Sequence, residues 1–316
     1  MLIPVFNRRD LIAAAVESAL TQDVDDLTVT VVDNCSDDGT WDVVQALQGE
    51  RCRATRNREN IGLFGNFNRC GELISGEFAL FLCSDDRLEP GFLSRAIFLA
   101  RKYPSVVMVT SRGLEIDSQG RPGKIIADRF EPGIYAGHSV LPAWFWCTHF
   151  CGMNALNYPS GVLFRTSALR AALPFRAQIG GPAEIDLYFR VLAQGDLCVD
   201  GGLGCRVMRH SEQEGIRLRK TGDLLGQNLL LLDEHRQELE DVGAYKIIRR
   251  QAACTVFAAL VRALRSDRTV ALRIWRLYRV STLTMAVAAG KRATFKLLAR
   301  LFGYKPCPYL RRVEAE

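Results

Sequence analysis

Two adjacent carboxylates, Asp85 and Asp86, follow the apolar run FALFLC at residues 78–83 and are the first candidates for chemistry. If that run is a buried strand, the pair lies at its carboxyl end. Carboxylate oxygens are ligands that Mg²⁺ and Mn²⁺ prefer, and proteins share such cations with phosphate groups. An acidic residue at a strand–helix junction can also act only as a helix N-cap. The pair therefore indicates either a divalent-metal site or a cap.

A second acidic position, Asp33, ends the β-branched run LTVTVV at residues 27–32. The polar residues behind it, Ser36 among them, have short side chains that turn the chain sharply. A carboxylate held there can accept a hydrogen bond from a ring N–H of a nucleotide base. A capped turn without a ligand would give the same pattern.

Apolar runs and helical periodicities alternate through the first 110 residues, which predicts parallel βαβ units. We expect strands at 2–5, 27–32, 78–83 and 106–110, and helices at 10–20, 41–47, 67–74 and 92–103. The predicted fold is α/β, with an open, mostly parallel sheet flanked by helices. Ligands bind such sheets beyond the carboxyl ends of the strands, which is where both acidic clusters fall.

The second half of the chain gives weaker signals. We expect a hairpin turn at 115–120, a loop or short helix at 144–150, a strand at 161–164 and a helix at 186–194. After about residue 223 the pattern is helical throughout, which predicts a C-terminal helical extension.

Four segments carry a resemblance to a known family, and they occur in its order and spacing. They read IPVFNRRDLIAAAVESALTQ…LTVTVVDNCSDDGT, NRENIGLFGNFNRC…SGEFALFLCSDDRLEPGFL, YPSGVLFRTSAL and EIDLYFRVLAQGD. Over about residues 1–215 the chain resembles family 2 glycosyltransferases, which are inverting enzymes of the GT-A fold. The resemblance implies a GT-A catalytic domain at 1–222, with a nucleotide-binding half at 1–110 and an acceptor half at 111–222. A basic helical extension at 223–316 would follow.

The resemblance also implies roles for individual residues on the donor side. The nucleotide site would comprise Pro4, Phe6, Asn7, Asp33, Ser36, Arg58, Asn60, Gly62, Asn68 and Asp85. Asp33 would meet the base, and Asn60 and Gly62 would shape the loop beside it. Asp85 and Asp86 would hold a divalent cation, Mg²⁺ or Mn²⁺, with His210 as a further metal or diphosphate contact. A solvated loop histidine is the alternative for His210.

Glu184 lies six residues before Arg190, where the family usually places its catalytic Asp. The resemblance implies that Glu184 is the general base, with Asp186 as the fallback. The chemistry agrees, because an acceptor hydroxyl must lose its proton as it attacks the anomeric carbon. One direct displacement predicts inversion of the anomeric configuration. The alternative for Glu184 is a first-turn acid favoured by the helix dipole.

The sequence departs from the family pattern at two places. Cys83 occupies the position of the first Asp in the family's Asp-x-Asp motif, and a soft thiol is a poor partner for Mg²⁺. Metal binding would then depend on Asp85, helped by Asp86 and His210. The chain also opens at Leu2-Ile3-Pro4, with fewer apolar residues ahead of the proline than the family has, which indicates either a misassigned start codon or a truncated first strand.

The ten cysteines show no repeated spacing, which is typical of a reducing cytoplasm. Cys147, His149 and Cys151 lie close together, either as a metal site or, more simply, as small buried thiols in an aromatic segment. No run of eighteen apolar residues occurs, so the sequence predicts no transmembrane helix.

The net charge of +6 is unevenly distributed. Residues 243–316 carry 16 Lys+Arg and 3 Asp+Glu, giving +13, whereas the first 242 residues carry 25 and 32, giving −7. Basic helices with Trp275 and Tyr278 are typical of a peripheral contact with an anionic membrane surface, here its cytoplasmic face. Packing on the catalytic domain and an oligomer interface are the alternatives. No nucleic-acid-binding motif accompanies the charge, so we expect no nucleic-acid partner.

The sequence therefore favours an inverting glycosyltransferase that moves a sugar from a nucleotide-sugar donor to a glycan or lipid-linked acceptor. A non-catalytic sugar-nucleotide-binding partner in a glycan assembly complex is one alternative, supported only by Cys83. A nucleotidyltransferase is another, but it would need a Gly-rich basic phosphate loop, which Arg8-Arg9 matches poorly.

Overall fold

The computed structural model describes residues 1–148, 154–209, 218, 221, 223–266, 269, 271 and 309–313. The strands are β1 (Leu2–Val5), β2 (Val29–Asp33), β3 (Cys52–Arg56), β4 (Phe78–Ala79), β5 (Arg87–Leu88), β6 (Val106–Ile116), β7 (Pro122–Ile126), β8 (Gly133–Tyr135), β9 (Val162–Arg165) and β10 (Asp196–Met208). The helices are α1 (Ile12–Leu20), α2 (Thr40–Ala46), α3 (Leu63–Glu72), α4 (Phe92–Lys102), α5 (Gly137–Trp146), α6 (Thr166–Ala172), α7 (Ala183–Leu192), α8 (Asp223–Glu234), α9 (Arg236–Asp241) and α10 (Tyr245–Ser266). Single turns of 3₁₀ helix occur at Pro159–Gly161 and Ala177–Ile179.

The first three strands form parallel βαβ units of the predicted kind, although β3 lies outside the predicted strands. β1 pairs with β2, and β2 pairs with β3, both in parallel, with α1 and α2 as the crossovers. The β-branched residues of β2 suit a strand that is buried on both faces. A parallel bridge between Leu2 and Phe81 joins this sheet to the second one.

The second sheet is mixed, which differs from the expectation of a mostly parallel sheet. Its order is β4-β9-β6-β10-β5, with β7 beside β6 and β8 beside β10. Only β6 and β10 run parallel there; the other pairs are antiparallel. One reason is that β6 is twice as long as predicted and turns back into β7 through a hairpin, where Asp117 accepts hydrogen bonds from the N–H groups of Gln119 and Arg121.

Successive residues of the central strands pack into different hydrophobic clusters on the two faces of the sheet. Leu2, Phe81 and Phe164 belong to one cluster, whereas their neighbours Ile3 and Leu82 belong to the other. This alternation follows from the two-residue period of a strand, and burial of both faces explains the unbroken apolar runs.

The C-terminal helices share a hydrophobic core with the two sheets. Leu231, Leu239 and Tyr245 are buried in the same cluster as Phe81. Residues 309–313 return to the sheet, where Arg312 pairs with Tyr135 of β8. The division of the chain at residue 222 stays a prediction.

Among the described helices, none has both the length and the apolar character that a membrane crossing requires.

Phe81 should be a large contributor to the free energy of unfolding. It has no solvent exposure, and its ring contacts those of Phe67, Phe164 and Phe175. Phe81→Ala should cost about 3–5 kcal/mol, measured by urea unfolding. Phe98→Ala is the matched control, since Phe98 is 64% exposed and should change stability by less than about 0.5 kcal/mol. Equal effects of the two substitutions would contradict this packing.

Candidate functional site

The turns after β1 and β2 are fastened to each other by side chains that the sequence assigned to nucleotide binding. The Asn7 N–H donates to Ser36 Oγ at 3.0 Å, and Asn7 Nδ2 donates to Asp37 Oδ1 at 2.9 Å. Asn7 and Cys35 have φ values of 50° and 62°. Asparagine tolerates this left-handed conformation better than most residues. The result is a sharp double turn at the carboxyl ends of both strands.

Asp33 stabilises this turn by accepting hydrogen bonds from Ser36. Its side chain is fully buried, and its carboxylate accepts hydrogen bonds from Ser36 Oγ at 2.5 Å and from the Ser36 N–H at 3.2 Å. Arg56 Nε lies 3.1 Å from Asp33 Oδ2. The carboxylate is thus already engaged by protein donors, so its visible role is to fix the turn that a nucleotide would contact.

A set of asparagines holds the next loop against β2. Asn34 Nδ2 donates to Asn60 Oδ1 at 2.8 Å, and Asn57 Nδ2 donates to Asn34 Oδ1 at 2.9 Å. The Gly62 N–H donates to Asn60 Oδ1 at 2.9 Å, and Gly62 has a φ of 77° that favours glycine. Asn60 and Gly62 therefore do shape a loop beside Asp33.

The remaining predicted nucleotide residues are spread around this corner. Pro4 is buried in β1, Phe6 is 40% exposed, and Arg58 is exposed with its carbonyl 3.7 Å from Cys35 Sγ. Asn68 is a correction. Its side chain forms two hydrogen bonds with the backbone of Phe175, at 3.0 and 2.7 Å, so it links α3 to the acceptor half instead of facing a nucleotide.

Asp86 joins three distant chain segments. Ser160 Oγ donates to Asp86 Oδ2 at 2.6 Å, and the Met208 N–H donates to Asp86 Oδ1 at 3.0 Å. The Ser160 hydroxyl also accepts from the Cys83 N–H at 3.0 Å. Burial, followed by the neighbouring Asp85 carboxylate, raises the pKa of Asp86 well above its ordinary value. Both oxygens of Asp86 are committed to these contacts.

Cys83, Asp85 and Asp86 offer one candidate ligand atom each, and these atoms lie within 4.8 Å of one another. Of the three, Asp85 is partly exposed and supplies a hard oxygen, whereas the Cys83 sulfur is soft. Mg²⁺ is often held by one or two carboxylates together with substrate phosphates and water. The site therefore fits a cation that is shared with a diphosphate. His210, predicted as a further contact, lies outside the described residues, as do His149 and Cys151.

Glu184 lies in the first turn of α7, and its electrostatic environment connects it to the acidic pair. Burial raises the pKa of Glu184 to about 7. Burial also raises the pKa of the Cys83 thiol well above its ordinary value, and the carboxylates of Asp86, Asp85 and Glu184 add to that effect. All three carboxylates therefore lie close enough to the Cys83 thiol to influence its charge. A carboxylate with a pKa close to neutral is suited to accept a proton.

Asp186, the fallback base, has a structural role. It is fully buried, Arg176 Nε donates to its Oδ2 at 2.8 Å, and Arg190 Nη2 donates to the same oxygen at 2.8 Å. His235 Nε2 lies 3.0 Å from its Oδ1. A carboxylate enclosed by two guanidinium groups and an imidazole is a poor proton acceptor. The assignment of Asp186 as an alternative base was therefore wrong.

Sequence reasoning missed several residues that build this site. Asn34, Asn57 and Ser160 position the turns, and Arg176 and His235 hold α7. Asn57 and Ser160 lie within the segments that resemble the family, so their polar side chains could have indicated a role in the site. Nothing in the local sequence around His235 indicates a contact with Asp186, 49 residues away.

Comparison with known proteins places the chain among sugar-transferring enzymes. It matches the model described as Glycosyl transferase family 2 over residues 1–169, more than half of its length. It is 40% identical over 97 residues to the GalNAc(5)-diNAcBac-PP-undecaprenol beta-1,3-glucosyltransferase of Campylobacter jejuni, an alignment covering 30% of this chain and 31% of that enzyme. The chain spans less than two thirds of the length of the curated relatives that it matches.

Two solved structures show the same architecture. One is Staphylococcus aureus TarS 1-349 in complex with UDP-GlcNAc, with a TM-score of 0.55, 16% identity, and coverage of 96% of this chain and 91% of that chain. The other is the mannosyltransferase PcManGT from Pyrobaculum calidifontis in complex with GDP-Man and Mn²⁺, with a TM-score of 0.53, 14% identity, and coverage of 96% and 87%. These likenesses confirm the predicted GT-A fold.

Asp186 should contribute stability that depends on pH. Burial alone would raise its pKa, but hydrogen bonds from Arg176 and His235 and the charge of Arg190 outweigh burial and hold the pKa below the ordinary 3.8. Its contribution is therefore complete above about pH 4 and is lost as the pH falls further. Asp186→Asn should cost about 3 kcal/mol at pH 7, measured by urea unfolding, because it leaves two guanidinium groups without their carboxylate.

The difference between the parent and Asp186→Asn should stay constant from pH 7 to pH 5 and shrink below pH 4. Glu72→Asn serves as the control, because Glu72 is 64% exposed and pairs only with its helix neighbour Arg69. A difference that does not change with pH would show that folding leaves the pKa of Asp186 at its unfolded value, which contradicts the lowered pKa.

Proposed function

The chain belongs to glycosyl transferase family 2, and from that premise we propose that it is an inverting enzyme acting on a nucleoside-diphosphate sugar. In this proposal it transfers the sugar to a hydroxyl of a glycan or lipid-linked acceptor. Family membership favours this function over the nucleotidyltransferase alternative. It also favours catalysis over the non-catalytic alternative.

One observation supports the proposal most strongly. The carboxylates of Asp85 and Asp86, from the donor half, and of Glu184, from the acceptor half, all act on the Cys83 thiol. A sugar bound between the two halves would have a phosphate-binding carboxylate on one side and a proton acceptor on the other. Direct displacement at an anomeric carbon needs both kinds of group near the reacting atoms.

The donor half would hold the nucleotide at the double turn formed by Asn7 and Ser36 and at the loop of Asn60 and Gly62. Its backbone is fixed by Asp33 and Asn34, so a nucleotide would meet a surface that is already organised. Phe6 and Arg58 are exposed at the same corner and could contact the base and the phosphates.

Asp85 would hold a divalent cation together with the donor diphosphate, while Asp86 keeps Asp85 in place through Ser160 and Met208. Such a cation neutralises charge that develops on a leaving diphosphate. The Pyrobaculum mannosyltransferase was solved in complex with GDP-Man and Mn²⁺, which supports the same kind of cation here.

Glu184 would take the proton from the acceptor hydroxyl as that oxygen attacks the anomeric carbon. A raised pKa of about 7 keeps the carboxylate a useful base near neutral pH, and it means that turnover should rise with pH through that value. Attack from the side opposite the diphosphate inverts the anomeric configuration.

A lipid-linked acceptor agrees with the name of the Campylobacter relative, which specifies a polyprenyl-diphosphate-linked glycan. It also agrees with the charge of +13 on residues 243–316, which would attract an anionic membrane surface. We therefore propose that the enzyme works at the cytoplasmic face of such a membrane.

Substitution at the two carboxylates should separate their roles. With a panel of UDP-, GDP- and dTDP-sugars and Mn²⁺, the parent should release nucleoside diphosphate from at least one donor in the presence of a polyprenyl-linked acceptor. Asp85→Asn should lower that rate about a hundredfold or more and weaken Mn²⁺-dependent binding of the nucleotide. Glu184→Gln should lower kcat about 10²–10⁴-fold and leave nucleotide affinity unchanged.

Glu72→Gln is the matched control for both, because it removes an exposed carboxylate that pairs with Arg69 and has no proposed role in the reaction. Asp85→Asn with the Mn²⁺ affinity and turnover of the parent would contradict the proposed mechanism.

Membrane contact should depend on the C-terminal arginines. In liposome flotation the parent should bind anionic vesicles and not vesicles of phosphatidylcholine. Changing Arg273, Arg276 and Arg279 to Gln should reduce binding about tenfold or more, since each basic residue contributes roughly 1 kcal/mol. Changing the exposed Arg101, Arg121 and Lys124 to Gln removes the same charge and should have little effect. Equal losses from both triple variants would rule out a specific C-terminal contact.

A further inference from the structure

The C-terminal extension reaches the helix that carries Glu184 through a buried histidine. His235 lies between α8 and α9 and is 3% exposed. Its Nε2 is 3.0 Å from Asp186 Oδ1, and its Nδ1 is 3.3 Å from Glu238 Oε1. Its ring also meets the edge of Phe189 on α7, with centroids 5.4 Å apart. The imidazole is therefore held on three sides.

Asp186 receives this contact two residues after Glu184, on the first turn of α7. The same carboxylate is bound by Arg176, and Arg176 Nη1 also lies 3.2 Å from Glu234 at the end of α8. Arg190 holds the carboxylate from the next turn of α7. A buried carboxylate with this many partners has little freedom, so the extension fixes one point at the beginning of the helix.

A second contact from the extension fixes the loop immediately before α7. Gln227 Oε1 of α8 accepts a hydrogen bond from the Gly181 N–H at 2.8 Å. The approach requires glycine: a Cβ on Gly180 would lie 2.4 Å from the Gln227 side chain, and a Cβ on Gly181 would lie 2.7 Å from Leu218. Gly180 also has a φ of 77°, which favours glycine. The two glycines of this loop thus allow α8 to pack closely against it.

The two contacts bracket Glu184, with Gly181 three residues before it and Asp186 two residues after it. Backbone hydrogen bonds connect the bracketed segment, from the Ala183 N–H to the Gly180 carbonyl and from the Asp186 N–H to the Pro182 carbonyl. A short segment held at both ends can shift only if one of the holding contacts is lost. The carboxylate between them would then move with respect to Asp85.

We propose that His235 and Gln227 are positioning residues, through which the C-terminal extension sets the place of the Glu184 carboxylate. The inference depends on the proposed function of Glu184 as the base. It makes the extension a part of the catalytic apparatus and not only a basic region for membrane contact. Neither residue touches the substrate in this account.

The test compares His235→Ala, His235→Gln and Gln227→Ala in the full chain, using the nucleotide-release assay across pH 5.5–9. His235→Ala should lower kcat between about tenfold and a hundredfold, because small displacements of a catalytic group have such effects. The KM for the donor should change less than about twofold, since Asp85 and the nucleotide turns lie in the other half. The acidic limb of the pH profile should move to lower pH as Glu184 gains water and its pKa falls toward the ordinary 4.5.

His235→Gln keeps an N–H donor near the position of Nε2, so it should restore most of the kcat and the parent pH profile. Gln227→Ala should change both quantities in the same direction as His235→Ala. Gln237→Ala is the matched control, because it removes one exposed hydrogen bond within α9, to Asp241, and should leave the assay unchanged.

The outcomes distinguish the two proposals. A parent protein that releases no nucleotide with any donor defeats the proposed function. An active parent, together with His235→Ala and Gln227→Ala variants that keep its kcat and pH profile, overturns the positioning role. If His235→Ala is unfolded at the assay temperature, as judged by circular dichroism, the folded Gln227→Ala variant decides by the same two readouts.

Discussion

The buried carboxylate of Asp86 ties together three segments that are far apart in the chain. It accepts from Ser160 and from the backbone of Met208, and Ser160 in turn accepts from the backbone of Cys83. These hydrogen bonds fasten the turn at residues 83–86 to the 3₁₀ turn at Pro159–Gly161 and to the end of β10. Because a buried carboxylate without partners is strongly unfavourable, the contacts are obligatory once the site closes.

The adjacent residues Asp85 and Asp86 have different roles. Both oxygens of Asp86 accept hydrogen bonds from the protein, and the partly exposed Asp85 supplies the hard oxygen proposed for the cation. Burial, and after it the neighbouring Asp85 carboxylate, raises the pKa of Asp86. A divalent cation bound beside Asp85 would offset the effect of its charge. Cys83 fits this division, since a protonated thiol adds no third negative charge to the site.

A second buried carboxylate, that of Asp186, also has a structural role. Asp186 is committed to Arg176, Arg190 and His235, and this leaves Glu184, one half-turn earlier, as the acid whose pKa lies near neutrality. Each side of the site thus contains one carboxylate that holds the structure and one that is suited to the reaction. The pattern explains why four acidic residues in two close pairs do not act alike.

The sequence predicts much of the fold because its signals are local. The β-branched run before Asp33 and the hairpin at Asp117 follow from periodicity and turn chemistry, and both occur in the structure. The mixed pairing of the second sheet could not be read in this way, because strand direction depends on contacts between distant residues. FALFLC shows this well: only Phe78–Ala79 forms a strand, after which the chain makes a single bridge at Phe81.

The same distinction between local signals and distant contacts applies to the site residues. Residue types and motif order indicated both acidic pairs, yet they could not show which distant groups hold Asp86 and Asp186. Asp86 and Asp186 are engaged by Ser160, Met208, Arg176 and His235, all of them except Arg176 more than 20 residues away in sequence. Asn68 was misassigned for the same reason, since its partner is the backbone of Phe175, 107 residues on.

The central claim is that Asp85 and Glu184 act on opposite sides of one anomeric carbon. It is tested most directly by the configuration of the first glycoside that the enzyme forms. With an α-linked nucleotide-sugar donor, the proton coupling constants of the new linkage, measured by NMR before any later reaction, should show a β-glycoside. An α-glycoside would mean that configuration is retained, and a single displacement assisted by Glu184 would then be wrong.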